Sequence, residues 1–135
     1  MIATNSSMNW RNDIRVSKYK VFTLPLAERD IAEETDYFAY ELESPETAIK
    51  MINGFRKTIN DLCIFPQRHE LDEDEELARY KIRRTYYKSY KIYYLVDEDE
   101  HVVYVLRVLH MLVDSEKKVL RGYYEPNIID NFRRK

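Results

Sequence analysis

Glycine is almost missing from this chain, with two in 135 residues, and proline is scarce at four. Loops that cradle nucleotide phosphates need several glycines at fixed spacing, so functions resting on such loops are excluded. The same scarcity argues for regular elements joined by few elaborate loops. One cysteine, Cys63, rules out an internal disulfide and gives no sign of an oxidising compartment. No apolar run approaches the ~18 residues that span a bilayer. The opening segment MIATNSSMNWRNDIR also lacks an apolar signal core. A soluble, cytoplasmic protein without membrane association is expected. Net charge is missing as well: 22 Lys and Arg against 24 Asp and Glu leave −2. Any attraction to a polyanion must therefore be local.

Local charge is what the chain has in plenty. The stretch Arg79–Val96, RYKIRRTYYKSYKIYYLV, holds six Lys and Arg and no acid. Acidic runs flank it on both sides, Glu70–Glu76 before and Asp97–Glu100 after. Gathering cations on one hairpin is the layout of a surface that meets a polyanion or an acidic partner. The competing reading is a solvated face neutralised by the chain's own acidic runs. Strand alternation would put Lys81, Arg83 and Thr85 on one face and Tyr80, Ile82 and Tyr86 on the other. Lys91 would share a face with Tyr93 and Leu95. Seven tyrosines between Tyr80 and Tyr104 suit base stacking. They suit strand packing and protein interfaces too, and the near-zero net charge favours the latter.

The order of elements follows from periodicity. Residues 1–18 are a polar extension. Tyr19–Leu24 alternates as a strand, and Pro25 suits the first turn of a helix. Ala27, Ile31, Phe38 and Leu42 mark a buried face over 26–42, with Glu28, Asp30, Glu33 and Glu34 on the wet side. Ser44-Pro45-Glu46 supplies cap, first-turn proline and a dipole-matched acid for a second helix. Its seam is Ala48, Ile52, Phe55, Ile59 and Leu62, with Cys63 as a small core residue, and Phe65-Pro66 ends it. A charged loop over 67–77 precedes three strands near 79–87, 89–97 and 101–110. The last, HVVYVLRVL, reads as central and buried on both sides. Arg107 within it needs a carboxylate, for which Glu33, Glu34 and Asp36 are the candidates. A tail over 115–135 carries a potential short helix. The expected fold is α+β: a two-layer sandwich in β-α-α-β-β-β order. Its helical hairpin packs on a mainly antiparallel four-stranded sheet.

Several segments together resemble the RelE/ParE superfamily of toxins from bacterial type II toxin–antitoxin modules. They are Tyr19-Lys-Val, Leu24-Pro-Leu-Ala-Glu-Arg-Asp-Ile31, Ser44-Pro-Glu-Thr-Ala48 and Leu62-Cys-Ile-Phe-Pro66. Tyr90-Lys-Ile-Tyr-Tyr94, Val105-Leu-Arg-Val-Leu-His110 and Asp114 complete the set, so the resemblance covers residues 19–114. It implies growth inhibition, plasmid stabilisation and a cognate antitoxin that holds the toxin inactive. Some members of the superfamily cleave mRNA in the ribosome without a metal, and others poison DNA gyrase. For the cleaving branch, the resemblance places catalytic roles on Lys81, Arg83, Lys91 and His110. Arg79, Arg84, Tyr86 and Lys88 fall to partner or nucleic-acid binding. Such cleavage builds charge on a phosphorane and needs fixed cations beside proton-transfer groups. Met111 stands where that branch commonly has arginine or tyrosine. No cofactor or metal is implied: His69 and His101 have no ligand spacing. Three functions follow: a toxin acting on translation or gyrase, a ribosome-dependent endoribonuclease, or an interaction domain whose killing chemistry has decayed.

Overall fold

The computed structural model describes residues 18–111. The N-terminal extension up to residue 17, the tail 115–135 and the segment Leu112–Asp114 lie outside the described residues. Strand β1 (Lys20–Thr23) leads into helix α1 (Pro25–Asp36), and helix α2 (Pro45–Asn60) follows and packs against it. A short helix α3 (Glu75–Arg79) precedes β2 (Arg83–Tyr87), β3 (Tyr90–Asp97) and β4 (Val102–His110). The sheet order is β1-β4-β3-β2. β1 runs parallel to β4, and the other two pairings are antiparallel. The expected α+β sandwich is present, with β4 at its centre and buried almost throughout.

Two apolar clusters fill the space on either side of the sheet. Ala27, Ile31, Met51, Phe55 and Ile59 of the helices meet Tyr90, Ile92, Tyr94, Val103, Val105 and Val108 of the strands. On the opposite side, Leu77 and Ile82 cover Tyr93, Leu95, Tyr104 and Leu106. The second cluster exists because α3 closes over that face. The charged segment 67–77 is thus more ordered than the sequence suggested. Asp74 caps α3, its Oδ1 accepting from the N–H groups of Glu76 and Leu77 at 2.9 and 3.2 Å. A side-chain cap of this kind contributes about 1 kcal/mol.

Four local expectations are corrected. α1 gives way to a wider π turn at Tyr37–Glu41, which rotates the residues after it and leaves Leu42 exposed. In α2 the buried position is Met51, while Ile52 is exposed. Ser44 does not cap α2 by side chain; its Oγ and the Thr47 Oγ1 hydrogen-bond each other at 2.7 Å. Asp30, expected in water, is 7% exposed and receives Arg107 in place of Glu33, Glu34 or Asp36. The inward stripe of α1 is Ala27, Asp30, Ile31 and Thr35, so Asp30 sits where the helix meets β4.

Gly54 is the glycine that the packing requires. A Cβ there would lie 2.2 Å from the Tyr87 ring, so only hydrogen lets β2 approach α2 this closely. Tyr87 in turn packs on Phe55, with ring centroids 4.8 Å apart. That contact sets the basic hairpin against the helical layer.

Candidate functional site

Strand register divides the basic hairpin between two faces. Arg83 lies opposite Tyr94, Thr85 opposite Ile92 and Tyr87 opposite Tyr90, all on the helical side. Arg84 lies opposite Tyr93 and Tyr86 opposite Lys91, on the other side. Lys81 belongs to neither. It occupies a left-handed turn (φ 65°) after α3, so the strand starts at Arg83 rather than near residue 79. Lys81 and Arg83 instead border a cleft of about 380 Å³ that also holds Asp97, Glu98 and Asp99.

On the helical side, Arg83 is held by backbone. Its Nη1 donates to the carbonyls of His69 at 2.6 Å and Gln67 at 3.3 Å. The same loop is pinned by Tyr94, whose buried hydroxyl donates to the Pro66 carbonyl at 2.6 Å. Burial pushes the Tyr94 phenol up, against the opposing pull of Arg83 and Arg68. His69, half-buried among Arg68, Arg83 and Arg84, is pushed below its ordinary value, first by burial and then by those charges.

His110 ends β4 opposite Tyr90, the two rings meeting edge to face at 5.5 Å. Both border a cleft of about 310 Å³ with Phe38, Met51, Tyr87 and Lys88. The Tyr90 hydroxyl donates to Glu34 Oε1 in a short hydrogen bond. Burial, then that bond, drives the phenol well above its usual range.

On the other side, Arg84 and Lys91 share one carboxylate. Lys91 Nζ is 3.2 Å from Asp72 Oδ1 and 3.5 Å from Glu73 Oε1. Arg84 Nε stands 3.8 Å from Asp72 Oδ1, and Nη2 is 3.8 Å from Glu70 Oε2. Arg84 Nη1 donates to the Leu71 carbonyl at 2.7 Å. The Asp72 side chain is 1% exposed, that of Lys91 11% and that of Arg84 16%. Burial pulls the Lys91 ammonium down, but Asp72, Tyr93 and Tyr86 more than offset it, and the net direction is upward. Arg84 follows the same pattern: burial lowers it, while Tyr86, Asp72 and Glu73 raise it further.

The remaining candidates are spread out. Arg79, the last residue of α3, pairs with Glu76 at 3.1 Å on the surface. Lys88 sits in the left-handed turn between β2 and β3 (φ 52°), its Nζ 5.8 Å from the Tyr87 ring centre. Tyr86 is exposed beside Lys91. The four residues assigned to catalysis are thus not brought together. Lys91 faces away from Arg83 and His110, and Lys81 lies off the strand. Asp72 is the residue that sequence reasoning passed over. Its signal was the acidic run beside the basic hairpin, and choosing Asp72 among seven positions required the register.

Comparison with known proteins identifies the family. The sequence model of the ParE toxin of the type II toxin–antitoxin system, parDE, matches residues 21–114, and the chain belongs to that family. It is a type II toxin of the RelE/ParE superfamily. Among solved structures, the toxin–antitoxin complex RelBE2 from Mycobacterium tuberculosis is similar at 22% identity. That match covers 69% of this chain and 91% of the other, with a TM-score of 0.48. No curated protein matches the chain. Among the described residues, no helix is long and apolar enough to cross a membrane.

Proposed function

We propose that this toxin is held inactive by a cognate antitoxin and arrests growth by binding DNA gyrase, without cutting messenger RNA. One observation carries the reading: the sheet separates Arg84 and Lys91 from the proton-transfer candidate, His110. Metal-free cleavage needs fixed positive charge and an acid–base pair around a single phosphate. Here Arg84 and Lys91 share a face with Asp72, whereas His110 lies on the opposite face beside Tyr90. Arg83, on the helical side, spends its Nη1 on two loop carbonyls. Membership of the ParE family supports a gyrase target over a ribosomal one.

Controlled expression of the chain alone, and together with its neighbouring reading frame, tests the toxin–antitoxin part. Arrest by the chain alone that the neighbour relieves supports it. Normal growth in both cases would favour an interaction domain whose toxicity has been lost.

A further inference from the structure

Arg84 and Lys91 are brought together on one face of the hairpin and then covered. The cover is the segment Glu70–Asp74. It lies along the outer edge of β2, held there by a Leu71–Arg83 bridge. Two backbone hydrogen bonds attach it, Asp72 N–H to the Ile82 carbonyl at 2.8 Å and Arg84 N–H to the Glu70 carbonyl at 3.3 Å. Three of its carboxylates reach the two cations: Glu70 and Asp72 stand at Arg84, Asp72 and Glu73 at Lys91.

This ion cluster is not optimised as a structural pin. Arg84 Nε is fully buried and has no hydrogen-bond partner among the described residues, standing at 3.8 Å from Asp72 Oδ1. Three acids also serve two cations, and two of those acids, Glu70 and Glu73, are largely in water (81% and 73% exposed). A buried pair assembled only for stability gains little over apolar packing, so imperfect geometry needs another reason. Alternate residues of an extended strand stand about 7 Å apart, close to the step between successive phosphates of a single strand. Glu70 and Asp72 therefore present charge to Arg84 and Lys91 much as a nucleic-acid backbone would.

We propose that Arg84 and Lys91 form an anion site for a phosphodiester backbone. In this proposal the Glu70–Asp74 segment is a built-in pseudo-ligand that keeps the site shut. Displacing the segment uncovers both cations and the outer edge of β2, so anion binding and segment docking compete. The proposal does not depend on the identity of the toxin's target, and its failure would leave the toxin assignment intact.

The test is salt-dependent binding of a labelled single-stranded oligodeoxynucleotide to the purified full chain. The triple variant Glu70→Gln, Asp72→Asn, Glu73→Gln is expected to bind at least about tenfold tighter than the parent. Its plot of log affinity against log salt should steepen by about 1.4, from two contacts at ~0.7 each. Removing exposed carboxylates elsewhere supplies the control: Glu98→Gln, Asp99→Asn, Glu100→Gln in the β3–β4 turn should leave the slope unchanged. Equal tightening and steepening in that control would overturn the proposal. So would unchanged affinity in a triple variant that melts cooperatively. If the buried Asp72→Asn change prevents folding, Glu70→Gln with Glu73→Gln alone decides. That pair touches only exposed side chains, and it must tighten binding in the same direction, or the segment is merely structural.

Discussion

Asp30 and Arg107 grip each other where α1 crosses the edge of β4. Arg107 donates through Nε and Nη2 to the two Asp30 oxygens at 2.7 and 2.8 Å, and Val108 N–H adds a third bond at 2.9 Å. β1 stops pairing at Val105, so Val108 N–H would otherwise meet an empty sheet edge. Asp30 therefore completes the sheet as well as neutralising a half-buried charge. Asp30→Ala strands both groups at once. The expected loss is about 3–5 kcal/mol of stability, read as a lower urea midpoint, with Asp30→Asn milder.

Gly54 should behave unlike a helix glycine in water. Gly→Ala in an exposed helix interior gains about 1 kcal/mol, but here the new methyl collides with the Tyr87 ring. Gly54→Ala is expected to destabilise by ~1–3 kcal/mol. In a Tyr87→Leu background the same change should become neutral or stabilising. Thermal melts of the four proteins in this cycle give the sign directly.

Arg83→Ala is expected to act on the fold. Its guanidinium fixes the 67–69 loop through two carbonyls, and both lose a charge-assisted donor. A cost of ~1–3 kcal/mol follows. Proteolysis between α2 and α3 should accelerate before any change in target binding at temperatures where the variant is folded.

His69 makes stability depend on pH. Burial and three neighbouring arginines disfavour its protonated form, so its folded value lies below the ordinary 6.5. Between the two values the unfolded chain binds more protons, and stability falls as pH drops through about 6.5. Above that range the contribution is fully present. Denaturation midpoints measured from pH 7.5 to 5.5 should decline in the parent and decline less in His69→Gln.

Much of the fold was legible because it rests on periodicity. Ala48, Phe55 and Ile59 announce the seam of α2, and the apolar run of β4 around Arg107 announces a central strand. What misled was register at the ends of elements. Lys81 looks like a strand residue in RYKIRR, yet the turn that ends α3 takes it into a left-handed conformation without glycine. The alternation of Arg83 and Arg84 holds, and only the cross-strand register puts Arg84 on the face of Lys91. Asp30 shows the other limit: a carboxylate beside an apolar stripe reads as wet until its partner, 77 positions away, is known. The basic hairpin was visible in the sequence. Its closure by Asp72 was not, because side-chain pairing across twelve or more residues leaves no periodic trace.

The measurement that bears most directly on the account is a paired map of messenger 5′ ends and chromosomal breaks. It would be taken minutes after induction of the parent chain and of His110→Gln. Binding to gyrase without cleavage predicts intact messenger, accumulating DNA breaks and equal arrest by the two proteins. New messenger ends at translated codons, lost together with arrest in a folded His110→Gln variant, would contradict it.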